Sequence, residues 1–229
     1  MTVRTETEAR AWLRDELGVD AATMDRLTLL ADMLVEENKR QNLVARGTLP
    51  QVWQRHIVDS AQLLYVSRGT LPAGSWLDLG TGAGFPGLVI AALQPNRTVV
   101  LVDSRRLRTE WLQQAGEAMG LTNIRIEFAR VEDLPSATHA VISARAFAPL
   151  DKLVALSARF STPETLWLLP KGAKAQHELD MLPTTWSRMF HVEQSLTDPA
   201  AGIIMGHLPD GSPLPKRSVH VLPEKGPRR

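Results

Sequence analysis

The stretch WLDLGTGAGFPGLVIAAL, residues Trp76 to Leu93, passes from a short apolar run through a glycine-rich turn into a second apolar run. That order, strand then glycine turn then helix, opens a dinucleotide-binding type of α/β sheet. Two ligand patterns overlap in it. Gly82, Gly84 and Gly87 fit the G-x-G-x-x-G spacing of a pyrophosphate loop, whereas Asp78, Gly80, Gly82 and Gly84 fit the acidic-x-G-x-G-x-G spacing of an S-adenosylmethionine loop. Asp78 separates the two. A carboxylate beside the turn disfavours a pyrophosphate and attracts a ligand that carries an ammonium and a sulfonium. Charge at Asp78 therefore favours S-adenosylmethionine over a nicotinamide dinucleotide.

Downstream of Ser75, apolar strands alternate with helical stretches, the mark of a parallel sheet covered by helices. The predicted strands are SWLDLG, TVVLVD, IRIEF, HAVISAR and TLWLLP, with helices opening near Phe85, Arg105 and Leu150. RMFHVEQSL and GIIMGHL then read as two final strands in hairpin relation around TDPAAG. Asp103, ending the second strand, is placed to accept hydrogen bonds from ribose hydroxyls in either ligand reading. Upstream, apolar residues from Met24 onward recur at helical spacing toward Leu43, and Thr48 with Gln51 resembles a capping box opening a further helix. The chain thus divides into a helical region at 1–67, a methyltransferase core at 68–208, and a proline-rich, basic, flexible tail at 209–229. The expected architecture is α/β: a Rossmann-like, mostly parallel sheet with helices on both faces, preceded by N-terminal helices.

Composition excludes several other chemistries. The 229 residues include no cysteine, so thiolate metal sites, cysteine nucleophiles and disulfides are ruled out. Six scattered histidines offer no H-x-x-x-H pair, and no metal is assigned. A net charge of +1 means that a nucleic-acid partner must meet a local basic face. No apolar run spans a membrane and the N-terminus has no signal-peptide character, so a cytoplasmic protein is expected.

The FPG that follows the glycine turn is unusual among methyltransferases. With DLGTGAGFPG, NLV (42–44), RHIVDS (55–60), LVDS (101–104), RVEDLP (130–135), ARAFAPL (144–150) and PKG (170–172), the chain resembles the bacterial 16S rRNA guanine-N7 methyltransferases, the glucose-inhibited division protein B family. The resemblance implies methyl transfer from S-adenosylmethionine to N7 of the guanine at position 527 of 16S rRNA, in a small ribosomal subunit or an assembly intermediate, by a monomer. It also implies cofactor contacts at Gly80, Phe85, Val131, Glu132 and Arg145, with Asp103 at the ribose. The motif itself adds Asp78, Gly82 and Gly84.

Arg105, Arg106 and Arg108, beside the cofactor edge, are candidate RNA phosphate contacts, and Lys171 is a candidate phosphate or base contact. Asn42, Arg55 and His56 complete the candidate substrate-binding set. Guanine N7 carries an unshared pair and no proton at neutral pH, so no general base and no strictly catalytic residue are assigned. Three alternatives stay in view: a nicotinamide-dependent oxidoreductase, a ribosome-binding protein without transfer activity, and a methyltransferase acting on another RNA, a small molecule or a protein.

Overall fold

A computed structural model describes residues 2–208. The expected flexible tail at 209–229 lies outside the described residues. Two N-terminal helices come first, α1 (Glu6–Asp15) and α2 (Ala21–Glu37). Both are started by side-chain acceptors. Thr5 and Glu8 form a reciprocal capping box on α1, and Asp20 accepts from the backbone N–H of Thr23 on α2. The helix expected from Met24 toward Leu43 ends six residues early, at Glu37. The capping box expected at Thr48 and Gln51 is not formed. Arg46–Gln51 is a 3-10 turn, in which Thr48 Oγ1 donates to the Ala45 carbonyl at 2.7 Å.

That turn runs directly into a π-helical stretch, Trp53–Val58, and then into α3 (Asp59–Val66). The backbone N–H groups of Trp53 and Gln54 are satisfied from α1, by the two carboxylate oxygens of Glu6 at 3.1 and 3.0 Å. Wide turns of this kind re-aim side chains and are common at functional sites. Here the π stretch carries Arg55 and His56.

The sheet follows: β1 (Trp76–Leu79), α4 (Gly87–Leu93), β2 (Val99–Asp103), α5 (Arg106–Ala118), β3 (Ile124–Phe128), β4 (Val141–Ala144), α6 (Leu150–Ser157) and β5 (Leu166–Lys171). Two short helices, α7 (Ala175–Asp180) and α8 (Thr184–Ser187), precede β6 (Phe190–Gln194) and β7 (Gly202–Gly206). Strand order is β3-β2-β1-β4-β5-β7-β6. The first five strands are parallel, and β7 is antiparallel to both β5 and β6. The predicted final hairpin is therefore present, with β7 inserted next to β5.

Alternating side chains supply two cores. Trp76, Val99, Leu101, Leu166 and Leu168 face one layer, which they share with Trp12, Leu27 and Leu34 of the N-terminal helices and with Leu88 and Leu112. Leu77, Val100, Val102, Ile142 and Trp167 face the opposite layer, against Leu153, Val154 and Leu179. The N-terminal helices thus bury their apolar stripe on one sheet face. Val3 N–H donates to the Leu196 carbonyl at 2.8 Å, which ties the start of the chain to the β6–β7 connection. Among the described residues no helix is long and apolar enough to cross a membrane.

Candidate active site

The strand order reverses at β1, which lies between β2 and β4, and a cavity of about 650 Å³ opens at the carboxyl ends of these strands. Its floor is the turn after β1. Gly82 has φ +56, and a Cβ added there would meet no atom closer than 3.7 Å, so the space beside this backbone belongs to the cavity. Its N–H donates to Asp103 Oδ2 at 3.0 Å, and Asp103 Oδ1 accepts from the Arg105 N–H at 2.9 Å. These two bonds hold the β2 carboxylate at the cavity wall with acceptor capacity left over, as vicinal ribose hydroxyls require. Val131 and Glu132, in the turn Val131–Asp133 after β3, supply the adjoining wall.

Asp78 plays a different part from the one its sequence position implied. It is fully buried and does not line the cavity. Oδ2 accepts from Thr81 Oγ1 and from the Gly87 N–H at 3.0 Å, while Oδ1 accepts from Ser143 Oγ at 2.7 Å. Ser143 is its register partner on β4, and Ser143 Oγ accepts in turn from Trp76 Nε1 at 2.7 Å. Burial pushes the Asp78 carboxyl up to about 6, against the pull of these donors and of Arg145. Asp78 therefore fastens the turn to the sheet from behind and to the start of α4, rather than meeting a cationic ligand.

Beyond the segment Arg145–Ala148 lies a second cavity, also of about 650 Å³, and the two share Leu43, Arg145, Ala146, Phe147 and Ala148 as lining. Ala146 has φ +53, an uncommon backbone for a non-glycine residue. Arg145 is clamped in this wall. Its NH1 group lies 3.2 Å from Asp59 Oδ2, 3.3 Å from the Arg55 carbonyl and 3.3 Å from His56 Nδ1, and its guanidinium carbon is 5.3 Å from the Phe85 ring centre. His56 stacks on the same ring, 5.1 Å between centres. With Nδ1 facing guanidinium donors, the imidazole proton belongs on Nε2, which meets Thr48 Oγ1 at 2.8 Å. Burial first, then Arg145 and Arg55, pull the His56 pKa down to about 3. The ring is neutral and both of its nitrogens are engaged.

A family model of rRNA small subunit methyltransferase G, GidB, matches residues 23–201. The chain belongs to this family. Its similarity to the ribosomal RNA small subunit methyltransferase G of Novosphingobium aromaticivorans is 69% identity over 229 residues, with 100% of both chains covered. The protein of the same name from Erythrobacter litoralis is 54% identical over 205 residues, covering 89% of this chain and 97% of the relative. Among solved structures, a Geobacter sulfurreducens methyltransferase superposes with TM-score 0.56 at 15% identity, over 80% of this chain and 89% of that one. An RNA methyltransferase from Salinibacter ruber, in complex with S-adenosyl-L-homocysteine, gives 0.50 at 10% identity over 67% and 92%. These structural likenesses bear on the fold, a Rossmann-like methyltransferase sheet.

For this GidB chain the residues singled out from sequence fall into three groups. Gly80, Gly82, Phe85, Asp103, Val131, Glu132 and Arg145 line the first cavity, as do Arg105 and Arg108. Arg55, His56 and Lys171 line the second. Asp78, Gly84, Asn42 and Arg106 line neither. Gly84 turns inward, where an added Cβ would strike Leu88, and Arg106 pairs with Glu110 in solvent at 2.8 Å. Asn42 is exposed, and its carbonyl, like that of Leu43, accepts from the Arg108 guanidinium. Arg108 thus braces the 42–43 segment instead of reaching outward.

Lys171 is not a solvated loop lysine either: Nζ contacts Glu178 Oε2 at 2.8 Å and donates to the Ala148 carbonyl at 2.9 Å. Arg55 pairs with Asp198 at 3.0 Å. Sequence reasoning passed over Ser143, Asp59, Thr48, Arg130 and Lys152. A serine inside VISA, the otherwise apolar strand β4, was the available signal for the first. Among the described residues no cluster of potential metal ligands occurs.

Proposed function

We infer that this GidB-family methyltransferase transfers the methyl group of S-adenosylmethionine to N7 of a guanine in 16S rRNA, the one at position 527, presented in a small-subunit particle. One observation carries the reading: two cavities of equal volume, one built on the glycine turn and Asp103, meet across the Arg145–Ala148 wall. The first suits a nucleoside cofactor in size and in its carboxylate beside a glycine turn. When bound, S-adenosylmethionine supplies an electrophilic methyl carbon. The second cavity is where the target base would be held. Its cations are matched in pairs, Arg145 with Asp59, Arg55 with Asp198 and Lys171 with Glu178. An environment balanced in this way suits an uncharged base that becomes cationic on methylation, better than it suits a phosphate.

The chain's own task is then positioning, with N7 held about 3 to 3.5 Å from the methyl carbon. His56 fits that task because it is a neutral ring fixed between Arg145, from which Nδ1 accepts, and Thr48, to which Nε2 donates. Single-turnover transfer at saturating cofactor and RNA is accordingly expected to be flat between about pH 6.5 and 8.5, in the wild type and in His56→Gln alike. A tenfold fall per pH unit on the acid side, abolished in His56→Gln, would restore a general base. Gly82→Leu is expected to remove the thermal stabilisation given by S-adenosylhomocysteine, since its side chain would occupy the cavity beside the turn. The decisive test maps methylated guanines in rRNA from cells with and without the protein. Unchanged methylation at position 527 would refute the assignment.

A further inference from the structure

Around the second cavity the lining arginines and lysine are paired with carboxylates, but around the first, Arg145 apart, they are not. Arg105, Arg130 and Lys152 line it, all are exposed, and among the described residues none makes a salt bridge or a side-chain hydrogen bond. The carboxylates on the same lining are Asp103 and Glu132, and Asp103 already accepts two backbone N–H groups. S-adenosylmethionine does not explain such a set. Its ammonium and sulfonium outnumber its single carboxylate, so three solvent-facing cations around it are an electrostatic cost unless a second, anionic partner meets them.

Their positions define a rim. Arg105 caps α5 just after β2, Arg130 follows β3 by two residues, and Lys152 sits in the first turn of α6 after β4. They therefore stand on three different connections at the carboxyl edge of the sheet.

An aromatic residue stands beside this rim. Phe128 ends the edge strand β3, opposite Asp103 in register, and is 60% exposed. By strand alternation it shares a face with Ile124 and Ile126, which pack into the layer of α5. Ile124 abuts Gly116, and Arg106, Thr109 and Gln113 continue from Gly116 toward the start of the helix at three- and four-residue spacing. Phe128 accordingly lies level with the first turn of α5, on the flank that carries Arg106. A lone exposed phenylalanine is ordinary. One that ends the edge strand two residues before Arg130, next to a nucleoside cavity lined by unpaired cations, has the composition of a single-strand nucleic-acid platform, in which cations track phosphates and a ring stacks on a base.

We propose that Arg105, Arg130 and Lys152 form a phosphodiester track for an rRNA strand across the mouth of the cofactor cavity, and that Phe128 stacks on an unpaired base of that strand. The proposal rests on the rRNA reading above and assigns it a contact surface separate from the base cavity. The test measures binding of deproteinised 16S rRNA by the full chain over a range of salt, alongside binding of S-adenosylhomocysteine. Arg130→Gln/Lys152→Gln is expected to weaken RNA binding about 10- to 100-fold and to reduce the slope of log affinity against log salt by roughly 1.4 to 1.8. Cofactor-product affinity should change less than about twofold. Arg4→Gln/Arg14→Gln, at the remote N-terminal end, removes the same two charges and gives the effect of net charge alone.

Phe128→Ala should cost about tenfold in RNA affinity, Phe128→Trp should restore it, and Phe128→Leu should not. An unchanged salt slope, or a parallel loss of S-adenosylhomocysteine binding, would overturn the track. Wild-type binding by Phe128→Leu would overturn the stacking. Defects seen with small-subunit particles but not with deproteinised RNA would assign the surface to a ribosomal protein instead. These readouts are of binding, so they stand apart from the methylation map: a chain that binds RNA through this rim yet leaves position 527 unmethylated fails the functional reading and not the track.

Discussion

Asp78→Ala is expected to lose cofactor binding altogether and to lower thermal stability by up to about 12 °C. Among the described residues the carboxylate is the one acceptor for the Gly87 N–H at the start of α4, and it also receives the hydroxyls of Thr81 and Ser143. Deleting it strands a buried N–H, at about 1–3 kcal/mol, and leaves two hydroxyls to find new partners. A shift of about 2–4 °C per kcal/mol applies to a chain of this size. Part of the loss is offset, because the alanine also removes a buried charge, whose burial raises the carboxyl from 3.8 to about 6 in spite of its donors. Asp78→Asn separates the two contributions. It keeps an acceptor for Gly87 and removes the charge, so stability near neutral pH should stay close to that of the wild type. Asp78→Ala that still binds S-adenosylhomocysteine with wild-type affinity would mean that the turn holds its shape without this anchor.

The same group and His56 give opposite pH dependences. The folded pKa of Asp78 lies above its unfolded value, so the native state binds that proton more tightly; its stabilising contribution is complete below about pH 4 and lost as pH rises through about 6. For His56 the folded value, about 3, lies below the ordinary 6.5, so the native state resists protonation and stability is lost as pH falls below 6.5. Between about pH 4 and 6 the two slopes oppose each other. Chemical denaturation across that window should show steeper acid destabilisation in Asp78→Asn and shallower in His56→Gln. Identical slopes in all three proteins would show that neither group is perturbed by burial in this way.

Elements whose signal is local could be read from sequence, and those settled by distant partners could not. IRIEF is β3 residue for residue, and the glycine turn, the helix opening at Leu150 and the terminal hairpin all fall where apolar spacing and turn residues put them. Helix α1 falls inside the helical region expected at 1–67 but was not delimited, because half of its sequence, ETEARAWLRD, is charged and it buries only Ala9, Trp12 and Leu13. Thr48 illustrates the opposite error. T-x-x-Q has the spacing of a capping box, yet the threonine is held by Ala45 and by His56, eight residues on, through a turn of non-α geometry.

At the site, the family resemblance pointed to residues that do gather on one cavity, whereas their electrostatic roles were set by the fold. Arg55 meets its carboxylate 143 residues away, a pairing with no sequence signature. Asp78 was read as a ligand-facing charge because it is an acid beside glycines. Strand alternation puts it on the α4 side of the sheet, across from Ser143, where a carboxylate can persist only if surrounding donors compensate it.

Arg145→Met is expected to reduce methyl transfer about 100- to 1000-fold while leaving the protein folded. The guanidinium joins the π stretch, α3 and the wall between the cavities through the Arg55 carbonyl, His56 and Asp59, so its loss frees the segment that sets the distance between the two ligands. Misplacement by about 1 Å is enough for a hundredfold loss. Stability should suffer as well, because Asp59 Oδ2 loses its cation. Oδ1 keeps Thr197 and Gln62, both at 2.9 Å, and the carboxylate is 19% exposed, so the penalty should be about 1–3 kcal/mol, below that of a broken fully buried pair. Asp59→Asn tells the structural share from the functional one. Added to Arg145→Met it removes the orphaned charge, so the double variant should regain most of the lost stability and none of the lost transfer. Recovery of transfer along with stability would reduce Arg145 to a partner for Asp59 and would take the wall, and with it the positioning account of catalysis, out of the mechanism.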